Sequence, residues 1–478
     1  MKMLSLNKQK TDDFEFDELY RMLSELKDFL NEDIIFRNDW KNENLDIIID
    51  FQDSDGSFKL FDSYKIPSEA VIDFCFVPTY LCTAILMKAY MTDSRAFSLK
   101  EKSALKNGLI MSSARNLYGH GFGGFKEQID ALNIFMKAGL NEFMDLYPDF
   151  CPKFTGMIKK IISKFKEMEF HREFIGPWGE SYEEDIKAVN EYFSNRKVFV
   201  YGTLMHGEDN HYCLQNSTFL SLARIHGYSM YDVGWYPAII PGHSSIPGEL
   251  YQVPKEDMSV IDTLEGEGDL YIKKCERVKD IEGNTSFAFV YVYLGDCSDL
   301  KRIPAWKEYV WYVSYGSNML KERFNCYIEG GSYEGSTPRE PCRDKTPPAA
   351  VKTVEIPYDM YFGNHSRSWE YGGVSFLDTS KKGSALGVAY LITKEQFDHV
   401  AAQENGGRYP EEGYNWYENI IDLETMDGFE VKTITNNVLR EYNEPCQAYL
   451  DTLHQGIKKN WPEMSDEDID DYLNDCIR

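Results

Sequence analysis

No stretch of the 478-residue chain approaches the roughly 20 apolar positions that a membrane-spanning helix needs. The segment from Met1 to Asp13 also lacks the apolar centre of a secretory leader. Basic patches are missing too. Lys and Arg number 51 against 78 Asp and Glu, a formal net charge of -27, and so acidic a chain repels phosphate backbones, which argues against nucleic acid as a partner. The ten cysteines, from Cys75 to Cys476, include no CxxC pair and no Cys/His spacing suited to zinc, so they read as reduced thiols. His206, His211 and Cys213 come nearest to a ligand cluster and fall short of structural zinc spacing. The expectation is a cytoplasmic protein with no metal, no membrane and no nucleic acid as partner.

What is present is ample core material, with 43% apolar and 14% aromatic residues. Single cores stop growing near roughly 250 to 300 residues, so two to four domains are expected. The first 190 or so residues have helical periodicity. Phe16, Leu19, Leu23, Leu26 and Leu30 line one helix face after the capping candidates Asp12 and Asp13. Further helical stretches run around Tyr80 to Tyr90, Ala131 to Phe143 and Met157 to Phe165. Gly119, Gly121 and Gly124 spell GxGxxG, but Leu109 to Tyr118 before them is not strand-like, so a dinucleotide cofactor is set aside. The charged segment Glu180 to Asn195 reads as a helical linker.

After Glu191 the pattern changes. Val198 to Tyr201 is a short buried-strand run ending at Gly202, and Trp311 to Tyr315 is a second, ending at Gly316. Strands such as Phe287 to Leu294 follow a turn at Glu282, Gly283 and Asn284. A glycine at a strand end lets the backbone turn sharply and approach a ligand, and consecutive N–H groups there can converge on an anion.

Motif order gives these turns meaning. Tyr201-Gly202-Thr203-Leu204 is followed by Gly227 to Gly234, Tyr236-Pro237-Ala238, Gly248-Glu249-Leu250-Tyr251, Ile261 to Gly266 and Leu270-Tyr271. From Lys197 to Leu294 this resembles the γ-glutamylamine cyclotransferases of the butirosin-biosynthesis type. From about Val310 to Trp461 the chain resembles the γ-glutamylcyclotransferases proper. The residues that carry this second resemblance are Tyr315-Gly316-Ser317-Asn318, Tyr361 to Asn364, Trp369, Gly372-Gly373, Gly387 to Tyr390, Gln403 to Gly406, Tyr417 and a closing helix from Glu444 to Trp461. It departs from that family in reading Gln-Glu-Asn-Gly where the family has Glu-Gly, and in longer segments at Gly330 to Ala350 and Gly406 to Tyr414.

The resemblance implies a soluble transferase or lyase that releases γ-glutamyl groups of amines or peptides as 5-oxoproline. The α-amine attacks its own side-chain carbonyl, an intramolecular step whose favourable geometry is worth on the order of 7 to 11 kcal/mol. One carboxylate serves as base and then acid, for about 10² to 10⁴ fold. The resemblance assigns that role to Glu265 and Glu404. It places Tyr201, Gly202, Thr203 and Leu204, and likewise Tyr315, Gly316, Ser317 and Asn318, against the substrate. Tyr271 and Tyr417 either flank the site or pack the core. No metal or cofactor is required.

The expected fold is multidomain: an all-α domain over 1–192, then two tandem α+β γ-glutamylcyclotransferase-like domains with small mixed β-barrels over 196–305 and 306–478. Two rivals stand beside this. One makes a cyclotransferase-like unit a non-catalytic γ-glutamyl-binding module. The other makes the helical domain the principal enzyme, of an α/α-toroid type, on Asp55-Gly56-Ser57-Phe58 and Pro78-Thr79-Tyr80. The leaving amine and the oligomeric state are open at this level.

Overall fold

The computed structural model describes residues 3–10, 14–31, 41–65, 70, 72–94, 97–118, 125–175, 179–334, 336–411, 413 and 416–477. Asp12, Asp13, the GxGxxG glycines and Tyr414 lie outside the described residues.

Among the described residues eight helices come first: α1 (Phe16–Asn31), α2 (Lys41–Asp50), α3 (Phe76–Thr92), α4 (Leu99–Ser113), α5 (Phe125–Lys137), α6 (Leu140–Leu146), α7 (Pro152–His171) and α8 (Glu183–Ser194). α1 buries Leu19, Met22, Leu23, Leu26, Phe29 and Leu30, the face its spacing draws. α3 is apolar all round and is the centre about which the others pack. Ser98 and Glu101 form a capping box that starts α4.

Two sequence expectations change here. Ala131 to Phe143 is not one helix: the chain breaks at Gly139, whose φ is 82°, and a Cβ there would sit 2.8 Å from the Phe287 ring. The break lets the helices approach the following sheet. Glu180 to Asn195 is not a free linker. Ile186, Val189, Asn190 and Phe193 of α8 are buried in the helical core, so its charges occupy only the outer face.

α8 runs directly into β1 (Asn195–Val200). There follow β2 (Thr218–Asp232), β3 (Pro237–Pro254), α9 (Met258–Glu265), β4 (Tyr271–Asp280), β5 (Thr285–Tyr293) and β6 (Lys301–Ile303). β1 pairs antiparallel with β3 and parallel with β5, β5 with β4, β4 with β2, and β2 with β3 again, which closes a five-stranded barrel with β6 added outside β2. Side chains alternate as strands require. Phe199 and Tyr201 pack with Ile225, Met230 and Val290, whereas Val198 and Val200 face Met258 and Ile261 of α9.

The C-terminal part comprises β7 (Tyr309–Ser314), α10 (Lys321–Glu329), β8 (Ala350–Ile356), β9 (Asp359–Gly363), β10 (Val374–Asp378), β11 (Ala385–Thr393), α11 (Lys394–Glu404), β12 (Asn419–Asp422), β13 (Glu430–Thr435), α12 (Gln447–Asn460) and α13 (Asp466–Asp475). β7 repeats the pairing of β1, antiparallel to β11 and parallel to β13. The second barrel expected from the sequence is not closed. Its strands form an open sheet, β12-β13-β7-β11-β8, beside a separate β9-β10 ribbon. Strand length explains this: β2 and β3 have 15 and 18 residues, but β8 and β11 have 7 and 9, too short to curl round. The Thr435 hydroxyl bridges the gap, bonding the N–H and carbonyl of Leu377.

The two β units share a polar seam. Buried Glu249 accepts hydrogen bonds from the hydroxyls of Tyr251 and Tyr309 and from the His206 N–H. Lys307 pairs with Asp344 at 2.9 Å, and Arg224 lies over Phe429 while donating to the Gly428 carbonyl.

Candidate active site

Glu265 is the last residue of α9, where Gly266 turns left-handed at φ 58° and ends the helix. α9 is pinned one turn earlier: Asp262 accepts from the Tyr291 hydroxyl at 2.6 Å and from Lys273 Nζ at 2.7 and 2.8 Å. Glu265 thereby faces a cavity of about 260 Å³ whose far wall is the loop Tyr201 to Leu204. That loop is tight because Gly202 abuts Pro237; a Cβ on Gly202 would lie 2.6 Å from the proline ring. The Met205 N–H closes the turn on the Gly202 carbonyl, and Asn210 holds Thr203 through its hydroxyl and carbonyl. Among the described residues the N–H groups of Gly202, Thr203 and Leu204 have no acceptor.

The Glu265 carboxylate likewise has no hydrogen-bond partner among the described residues. Burial among apolar neighbours disfavours its charge and pushes its pKa up to about 7. Tyr271 lines the same cavity with its hydroxyl spent on the Pro237 carbonyl, and the Tyr201 hydroxyl is spent on Tyr291 O. Neither phenol is free to move a proton. Trp235 stands at the rim with 90% of its surface exposed. Among the described residues no Lys, Arg or His lines the cavity.

The second unit repeats the layout with different chemistry. Glu404 ends α11, a helix opened by the Thr393 and Gln396 capping box. It shares a small cavity of about 40 Å³ with Tyr315, Gly316, Ser317, Asn318 and Tyr417. Met319 N–H closes on the Gly316 carbonyl as Met205 does on Gly202, and the N–H groups of Gly316, Ser317 and Asn318 have no acceptor among the described residues. The Tyr315 hydroxyl donates to Ile434 O as that of Tyr201 does to Tyr291 O. Here the resemblance ends. Asn318 Nδ2 donates to Glu404, and Asn318 Oδ1 is buried with no partner among the described residues. Asn405, the added residue, exchanges side-chain bonds with the backbone of Tyr417, whose hydroxyl bonds Ser375 O.

Sequence reasoning reads Asp262, Pro237 and Tyr449 only as parts of motifs, with no site role, and it assigns Tyr291, Asn210 and Trp235 around the first cavity, with Tyr312 and Ser375 around the second, to no site. Pro237 and Asn210 were legible in principle, as residues that fix a glycine turn. Elsewhere, Asp55-Gly56-Ser57-Phe58 forms a turn in which Asp55 bonds Ser57 and Tyr64, so that carboxylate is committed locally. His206 bonds Thr346 and His211 bonds Leu204 O. Among the described residues no group of three or more His, Cys, Asp or Glu is placed to hold a metal.

Residues 198–311 match the family model described as gamma-glutamyl cyclotransferase, AIG2-like. The chain is 30% identical over 109 residues to the gamma-glutamylcyclotransferase family protein YtfP of Escherichia coli K12, covering 23% of this chain and 92% of that protein. It is 35% identical over 118 residues to the gamma-L-glutamyl-butirosin B gamma-glutamyl cyclotransferase of Niallia circulans, covering 23% and 76%. The chain belongs to the γ-glutamylcyclotransferase family. It is also 30% identical over 205 residues to histone deacetylase 5 of Arabidopsis thaliana, 35% of this chain, and spans only 31% of that protein.

Proposed function

We propose that the chain releases γ-glutamyl groups as 5-oxoproline at the first cavity. The observation that carries this is Glu265, a carboxyl poised near pH 7 with no partner among the described residues, which shares a cavity of about 260 Å³ with Gly202, Thr203 and Leu204, whose N–H groups are unspent there. The folded γ-glutamyl group fits between them. Glu265 takes a proton from the α-ammonium, the freed amine attacks the γ-carbonyl carbon, and the N–H groups of Gly202 to Leu204 hold the substrate's negative oxygen. Such donors are worth about 2.7 to 4 kcal/mol each. The carbon–nitrogen bond to the leaving group then breaks as Glu265 returns the proton to the departing amine, and the ring nitrogen sheds its extra proton to water.

The lining favours γ-glutamylamines over γ-glutamyl amino acids. A second carboxylate on the leaving group meets no cation here, and an unmatched charge is costly to desolvate. Trp235 offers the leaving amine an apolar face. A panel of both compound classes, assayed for 5-oxoproline, tests this: amines are turned over with higher kcat/KM, and release from no compound defeats the reading.

On this view the chain divides into a helical domain (1–192) and two cyclotransferase-like domains (196–305 and 306–478). The narrow cleft around Glu404 favours a second unit that does not turn over free substrate. That cleft is about 40 Å³ against about 260 Å³ around Glu265, which leaves less room for a γ-glutamyl group, and Asn318 occupies the carboxylate that the reaction needs.

A further inference from the structure

A second cavity, of about 300 Å³, lies where the helices meet the barrel, a volume at the lower end of ligand sites. It opens at the start of β1 and β5, whereas the Glu265 cavity lies at the other end of those strands. Its walls are held firmly. Arg196 pairs with Asp145 and donates to the carbonyls of Phe193 and Asn195, and Asn141 Nδ2 donates to Tyr192 O and Asn195 O.

Three charged groups on these walls are unspent. Glu142 is 5% exposed and its carboxylate bonds no other residue; Lys137 and Lys197 have neither hydrogen bond nor ion pair among the described residues. Burial raises the Glu142 pKa against the pull of Arg196 and Lys197, neither of which lies within the roughly 4 Å of an ion pair, so a cation brought against Glu142 would favour its ionised form. A buried carboxylate facing a cation across open space is costly unless something bridges them. Lys88 is already engaged by Leu30 O, and Arg277 completes the basic wall.

We propose that this cavity binds a small amino dicarboxylate of the glutamate kind. One unspent carboxylate and two unspent ammonium groups are the complement of a ligand with one ammonium and two carboxylates. The ligand's ammonium meets Glu142 and its carboxylates meet Lys197 and Lys137, with Met136 and Phe287 against its methylene chain. This does not depend on the chemistry at Glu265.

The test is titration calorimetry of the full chain with L-glutamate and with glutarate, which lacks the ammonium. Glutamate binds, glutarate binds at least about tenfold more weakly, and Glu142→Gln and Lys197→Met each weaken glutamate by a similar factor. Circular dichroism of both variants checks that they fold, and the glutarate comparison on the unaltered protein stands even if one does not. Absence of glutamate binding overturns the proposal, as does equal affinity for glutarate. Binding that survives both variants but falls in Glu265→Gln places glutamate in the other cavity and also overturns it.

Discussion

The two β units present the same turn and the same helix-end carboxyl to very different cavities. In the first, the Leu204 side chain cannot hydrogen-bond, Glu265 has no partner among the described residues and burial pushes it up to about 7. In the second, Asn318 at the matching position donates to Glu404 and the space shrinks from about 260 to about 40 Å³. One polar side chain at the end of a strand separates a carboxyl poised for proton transfer from one already engaged.

The largest expected effect comes from Glu265→Gln. An amide hydrogen-bonds but shuttles no proton, so 5-oxoproline release falls by about 10² to 10⁴ fold with an unchanged circular dichroism spectrum. Next is the pH profile of kcat/KM. The reaction begins with ionised Glu265, so activity rises with pH through a limb near 7. Leu204→Asn, which gives the first unit the donor of the second, moves that limb towards the ordinary carboxyl value; a limb that stays near 7 breaks the comparison.

Stability reads the same group independently. A carboxyl raised from 4.5 to about 7 on folding contributes stability that is complete below pH 4.5 and is lost as pH rises through 7. Glu265→Gln removes this loss, so the variant is more stable than the unaltered protein at pH 8, by on the order of 1 to 3 kcal/mol, and has the higher thermal midpoint there. The difference closes near pH 4.5. Smallest is Trp235→Ala. The side chain is 90% exposed, so stability changes by less than about 0.5 kcal/mol, while KM for apolar γ-glutamylamines rises and kcat holds.

Much of this layout is legible in short sequence motifs because turns and helix ends are local. Tyr201 to Leu204 and Leu264-Glu265-Gly266 each carry their own conformation, and the glycines mark where each chain reversal falls. What joins them is not local. The bond from Tyr291 to Asp262 that anchors α9, and the fit of Pro237 against Gly202, depend on barrel closure across tens of residues. The open second sheet was hidden for a related reason: alternation reveals a strand, but only its length against its neighbours decides whether the sheet closes. α8 misled through its charges, which lie on one face and conceal the buried row Ile186, Val189, Asn190 and Phe193.

The most direct test is a paired assay of Glu265→Gln and Glu404→Gln, in the full chain, for 5-oxoproline released from the best γ-glutamylamine. The predicted result is near-complete loss in Glu265→Gln, with Glu404→Gln retaining turnover within a few-fold of the unaltered protein. Loss in Glu404→Gln with turnover kept in Glu265→Gln would place the chemistry in the second unit and contradict the account.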